Sequence, residues 1–132
     1  MSVGGGSLIM AGLRFTQGKG TVAIGSTVFI NRGCYIDANA DVVIADGVLV
    51  GDHVRLLTGT HEIGTAQRRG GQSLARPVRV GSGSWLGSGA CVLPGVSIGP
   101  GCVVAAGAVV TQDCEPDGLY AGAPARRVRD LT

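Results

Sequence analysis

At 132 residues the chain has room for one domain with a sizeable core and not for two. Charged residues make up 15% of it, against about 25% in an average soluble domain, so the exterior is expected to carry apolar area that a partner copy would cover. A net charge of +2, 4% aromatic residues and no basic run interleaved with stacking side chains exclude a nucleic-acid-binding surface.

The first twenty residues, MSVGGGSLIMAGLRFTQGKG, show no sustained pattern and are expected to be irregular or a partial coil. Their only apolar stretch, Leu8 to Met10, is too short for a secretory core or a membrane span and lacks a basic flank. The expected location is therefore the cytoplasm, with no membrane partner.

From Ile24 a six-residue period takes over. Aliphatic residues stand at Ile24, Ile30 and Ile36, then at Ile44, Val50 and Leu56, then at Val80, Leu86, Val92, Ile98, Val104 and Val110. Four positions after each comes a compact side chain: Val28, Cys34, Ala40, Val48, Val54, Thr60, Ser84, Ala90, Val96, Cys102, Ala108 and Cys114. Six fits neither a helix at 3.6 residues per turn nor a long alternating strand, so the chain must turn a corner every six residues. The aliphatic residue and the compact one then both face inward, and glycine serves the corners. Three such strands make one coil of a triangular prism, and stacked coils bury each other's apolar faces. A Gly-rich β-sandwich with evenly spaced turns is the alternative, and it does not explain two coincident phases. Spacing says nothing against the usual right-handed crossover.

Two places break the rhythm. Ile36 to Ile44 spans eight residues, so two extra residues within 39–43 are expected to bulge or shift at a corner. Leu56 to Val80 spans 24, which keeps the phase, while the polar, Gly-rich stretch HEIGTAQRRGGQSLARP at 61–77 leaves the aliphatic pattern. That stretch is expected to be a protruding loop of the functional kind. Residues 115–132 form a C-terminal extension, and the whole of 1–132 reads as a single domain. Four cysteines without a CxxC pair read as small buried side chains and not as disulfides.

GTHEIG with its basic loop, PVRVGSGSWLGSGACVLPGVSIGPGCVVAAGAVVTQD and the closing LYAGAPARRVRD resemble, in this order, the hexapeptide-repeat acyltransferases. The galactoside, maltose and nodulation-factor sugar O-acetyltransferases are the nearest type, over about 24–128. The resemblance implies an all-β fold, a left-handed parallel β-helix, and a homotrimer with intersubunit sites. It also implies acetyl-CoA as co-substrate, no metal, and a small-molecule or glycan acceptor. His61 stands at the family's catalytic histidine. Asn31 matches a position that touches the acceptor, Asp37 or Asn39 the acidic position beside it, and Trp85 the tryptophan walling the cleft. Ser88 matches a residue whose backbone N–H lies near the thioester. Ala106 and Thr111 fall where the pantetheine arm is held, and Arg126 and Arg129 where coenzyme phosphates are met.

The chain also departs from that pattern. Gln112 replaces a frequent lysine, which removes one phosphate contact, and the first twenty residues cannot supply the helical cap of the sugar enzymes, so an acceptor pocket that is built differently or lies more open is expected. Trp85 could equally pack a trimer, and Arg126 and Arg129 could be a solvated basic tail. His53 reads as a surface corner residue. Two alternatives accompany sugar O-acetylation: acylation of another acceptor, such as a xenobiotic, an amino sugar or serine, and a trimeric scaffold without activity. A zinc site of three histidines is excluded because the chain has two.

Overall fold

The computed structural model describes residues 1–132, with side chains for all but Gln17. The chain winds as a left-handed parallel β-helix of about 6 turns. The first coil holds β1 (Ser2–Val3), β2 (Leu8–Ile9) and β3 (Arg14–Gln17), the second β4 (Val22–Ile24), β5 (Phe29–Ile30) and β6 (Tyr35–Ala38). The third holds β7 (Val42–Ile44), β8 (Leu49–Val50) and β9 (Arg55–Leu56), after which β10 (Gly59–Ile63) and β11 (Gly70–Ala75) project as an antiparallel hairpin. Coiling resumes with β12 (Val78–Val80), β13 (Trp85–Leu86) and β14 (Cys91–Val92), then β15 (Ser97–Ile98), β16 (Val103–Val104) and β17 (Val109–Val110). Last come β18 (Gly118–Ala121) and β19 (Arg126–Asp130), which folds back antiparallel on β18. Among the described residues no helix is long and apolar enough to cross a membrane.

Three parallel sheets form the prism faces: β1-β4-β7-β12-β15, β2-β5-β8-β13-β16-β18 with β19 at its end, and β3-β6-β9-β14-β17. All twelve aliphatic positions of the period are buried. Each contributes about 1.5–3 kcal/mol relative to leaving that side chain exposed. Corners turn through left-handed φ, at Gly33, Gly89 and Gly107 for example, and at three non-glycines, Thr27, His53 and Asp117. No helix packs back on a sheet here, so the handedness that helical crossovers enforce does not apply.

The second phase holds at ten of its twelve positions and fails at Ala40, which is half-buried, and Thr60, which is exposed. The two surplus residues after Ile36 do not bulge at a corner. They lengthen β6, so that Asp37 and Ala38 are buried and Val42 takes the inward place expected of Ala40. At the third coil Thr58 turns inward instead of Thr60, because the chain departs into the hairpin at Gly59. The N-terminal segment forms a full coil whose strands pair in register with the second coil, Val3 beside Ile24, Ile9 beside Ile30 and Phe15 beside Ile36. Val3, Ile9 and Phe15 themselves stand six apart, but nine residues separate Phe15 from Ile24, so this coil is out of step with the period that begins at Ile24.

All four cysteines are buried and free. Burial, first among the causes, raises the Cys34 thiol and pushes Cys114 up to about 12 from 9.0, with Cys102 and Asp113 adding to the latter. These folded-state values lie above those of the unfolded chain. Their contribution to stability is therefore complete below about pH 9 and is lost as the pH climbs toward the folded values. Native protein at pH 8 is expected to resist iodoacetamide while the urea-unfolded chain takes up four labels, and the melting temperature is expected to fall above about pH 9. Mass spectrometry and thermal melts across pH check both.

Candidate active site

The hairpin leaves the column at the corner after β9, and that corner is fastened from inside. The buried Thr58 hydroxyl donates to the Asp37 carbonyl at 2.7 Å and accepts from the Ala40 N–H at 3.0 Å. Asp37 is 8% exposed, and both its oxygens are used: Gly59 N–H donates to Oδ2 at 2.8 Å, and the Asn39 N–H (3.2 Å) and side-chain amide (2.5 Å) donate to Oδ1. This carboxylate thus holds β6 and the start of β10 together.

His61 lies on β10 across from Ser73 of β11, and its Nδ1 is 3.0 Å from the Gly71 carbonyl oxygen. A carbonyl can only accept, so the neutral ring carries its proton on Nδ1 and presents a lone pair on Nε2. The ring borders a hollow of about 750 Å³ lined also by Lys19, Asp37, Asn39, Thr60 and Ser73.

A second hollow, of about 510 Å³, runs along the outer face of the β2-β5-β8-β13-β16-β18 sheet. In register on that face stand Leu8, Phe29, Leu49, Trp85, Val103 and Leu119. The last four line the hollow together with Asn31, Gly51, Gly87, Ser88, Ala105 and Ala106. Asn31 accepts the Arg32 N–H on Oδ1 at 2.8 Å, which leaves its amide group to donate.

Ser88 sits in a turn closed by Ala90 N–H on the Gly87 carbonyl at 3.1 Å, with Gly89 at φ 68°. Ala106 repeats this one coil on, closed by Ala108 N–H on Ala105 at 3.2 Å. Neither Ser88 nor Ala106 has an acceptor for its own N–H among the described residues. The Ser88 hydroxyl donates to Asp52 Oδ1 at 2.5 Å, and Asp52 Oδ2 is 2.8 Å from His53 Nδ1. Those two contacts, the serine first, hold the Asp52 carboxyl below the usual range.

The expected site residues therefore fall into two groups on one protomer: His61, Asp37 and Asn39 around the hairpin, and Asn31, Trp85, Ser88 and Ala106 along the sheet face. Among the described residues none lines both hollows. Thr111, Arg126 and Arg129 are exposed and line neither. Cross-strand register sets the two arginines apart from their neighbour. Arg129 pairs with Leu119 and Arg126 with Ala121, on the outer face, while Arg127 pairs with the buried Tyr120.

Arg127, missed in the sequence, ties down the tail: it donates to Tyr120 Oη (3.0 Å), to the carbonyls of Glu115, Pro116 and Asp117, and to Asp130. Its guanidinium also lies 5.6 Å from the Tyr120 ring centroid. Lys19, Asp52 and Ser73 were missed as well. The glycines either side of Lys19 were the available signal, since they mark a close-packed corner.

Residues 77–112 match the family described as bacterial transferase hexapeptide (six repeats). Over 105 residues the chain is 43% identical to nodulation protein L of Rhizobium meliloti, a match covering 80% of this chain and 57% of that protein. Over 113 residues it is 34% identical to galactoside O-acetyltransferase of Escherichia coli, covering 81% and 56%. The chain thus spans a little over half the length of these curated relatives. A solved hexapeptide-repeat-containing acetyltransferase from Vibrio cholerae O1 biovar eltor, complexed with acetyl coenzyme A, superposes with a TM-score of 0.93 at 33% identity, over 99% of this chain and 71% of that one. A galactoside acetyltransferase in complex with coenzyme A gives 0.92 at 30% identity, over 99% and 65%.

Proposed function

The chain belongs to the hexapeptide-repeat acetyltransferases, and from that premise we propose that it transfers an acetyl group from acetyl-CoA to a hydroxyl of a sugar or glycan, in a homotrimer whose sites lie between copies. The observation that carries this reading is the His61 ring, whose Nδ1 is committed to the Gly71 carbonyl at 3.0 Å. Its Nε2 is left free, and the residue lines a hollow walled also by Asp37 and Asn39.

In the proposed reaction His61 Nε2 takes the proton of the acceptor hydroxyl as its oxygen bonds to the thioester carbon, because an unassisted hydroxyl is a poor nucleophile. The Gly71 carbonyl supports the imidazolium so formed through the Nδ1 proton. The Ser88 N–H, which has no acceptor of its own, meets the negative charge on the thioester oxygen without reorganising. The C–S bond then breaks, and the proton on Nε2 passes to the leaving sulfur, giving an acetyl ester and coenzyme A thiol. No acyl-enzyme is needed, and the buried thiols take no part.

The sheet-face hollow suits the coenzyme arm chemically. Trp85, Leu49, Val103 and Leu119 offer an apolar wall, and the free N–H groups of Ser88 and Ala106 suit amide carbonyls. Arg129 and Arg126 stand at the β19 end of the same face, where they would meet phosphates. Asn31 and the Asp37–Asn39 pair would orient the acceptor. Thr111 is proposed to flank the pantetheine path.

Mixing the protein with acetyl-CoA and a panel of sugars should release thiol and yield acetylated sugar by mass spectrometry. Binding of acetyl-CoA without turnover on any hydroxyl acceptor would instead identify a scaffold.

A further inference from the structure

Lys19 is the only lysine in the chain, and it lines the His61 hollow with Asp37 and Asn39. Its backbone is fixed by what flanks it. The corner at 18–20 rests on the Asn39 and Ala40 corner of the next coil, so closely that a Cβ on Gly18 would stand 2.7 Å from Asn39 Cα and one on Gly20 2.2 Å from the Ala40 carbonyl carbon. The Gly20 N–H donates to the Ala38 carbonyl at 3.0 Å. Side chains are thereby excluded at 18 and 20, and the one this corner does carry is a cation beside the proposed base.

Among the described residues that cation has no ion-pair partner. The ion pairs among the described residues are His53 with Asp52 and Arg127 with Asp130. Asp37 shares the hollow, but it is nearly buried, and both its oxygens face N–H donors from Gly59 and Asn39. A neutral sugar hydroxyl makes little use of a full charge, whereas a carboxylate or phosphate gains a charge-assisted hydrogen bond.

We propose that the acceptor is anionic: a saccharide bearing a carboxylate or phosphate that pairs with Lys19 while its hydroxyl faces His61 Nε2. This rests on the reading of His61 as the base. Lys19 then sets specificity and leaves the chemical step to His61.

Matched acceptors test it: glucose against glucuronate, and N-acetylglucosamine against its 6-phosphate. The wild-type protein is expected to favour the charged member of at least one pair by about tenfold in kcat/KM, a preference that shrinks with added salt. The pair that responds identifies carboxylate or phosphate. Lys19→Met should raise KM for that charged acceptor by about tenfold and leave KM for acetyl-CoA and for the neutral acceptor in place, while Lys19→Arg should keep the preference. Titrating the same four sugars into coenzyme-A-loaded His61→Ala protein reads the preference without turnover. Equal or tighter binding of the neutral members, or a preference that survives in Lys19→Met, overturns the proposal. Wild-type turnover in His61→Ala would instead sink the base while the charge preference is read from binding alone.

Discussion

Replacing His61 with alanine is expected to lower kcat by about 10²- to 10⁴-fold, the usual contribution of a positioned general base, with KM for acetyl-CoA close to that of the wild type. The residue sits on the hairpin, outside the column, and its side chain is exposed. Its loss removes one hydrogen bond to Gly71 and no core packing, so the melting temperature should barely move, as at most surface positions. A fall in rate without a fall in stability separates chemistry from folding. Thiol release at saturating acetyl-CoA gives the rate and a thermal melt the control. Turnover within about twofold of wild type would remove the imidazole from the mechanism, since no buried thiol or second histidine borders that hollow.

The column was legible because its cause is local. A strand must bury every second residue and a corner must follow within six, so each of the twelve aliphatic positions of the period from Ile24 to Val110 falls in the core. Where the chain bends the rule, the sequence is ambiguous. Asp37 and Ala38 could be corner or strand by composition, and only the Thr58 hydroxyl, which bridges the Asp37 carbonyl and the Ala40 N–H, decides for strand. The first coil stayed hidden because its three apolar positions, Val3, Ile9 and Phe15, are followed by a nine-residue step to Ile24 that breaks the phase, with glycine-rich corners between them. The 61–77 stretch looked like a loop because a two-stranded hairpin standing off the column needs no apolar face. His61 was found through its motif. Lys19 belongs to the same hollow from some forty residues away, and only the stacking of corners 18–20 and 39–40 brings it there.

Equimolar mixing of two dead variants should restore about a quarter of wild-type activity, which is the second large effect to expect. His61→Ala removes the proposed base, and Ala106→Glu puts a bulky anion on an exposed corner of the sheet-face hollow. Among the described residues the two hollows of one protomer share no lining residue, and in the proposed trimer the hairpin of one copy meets the sheet face of another. The apolar row on that face argues for such a neighbour: Leu8, Leu49 and Trp85 are 55%, 42% and 52% exposed, and isolation in water gives that area no partner. In a cyclic assembly each site draws one half from each of two copies. Random mixing therefore pairs an intact hairpin with an intact face in about one site in four. Each pure variant should remain near background, and a wild-type protein diluted until it dissociates should lose activity with the trimer peak in light scattering. If the co-refolded mixture stays as inactive as its parents while forming mixed trimers, both halves of the site come from one chain. The hairpin must then reach its own sheet face by a movement that the prism and its fastened Thr58 corner do not offer.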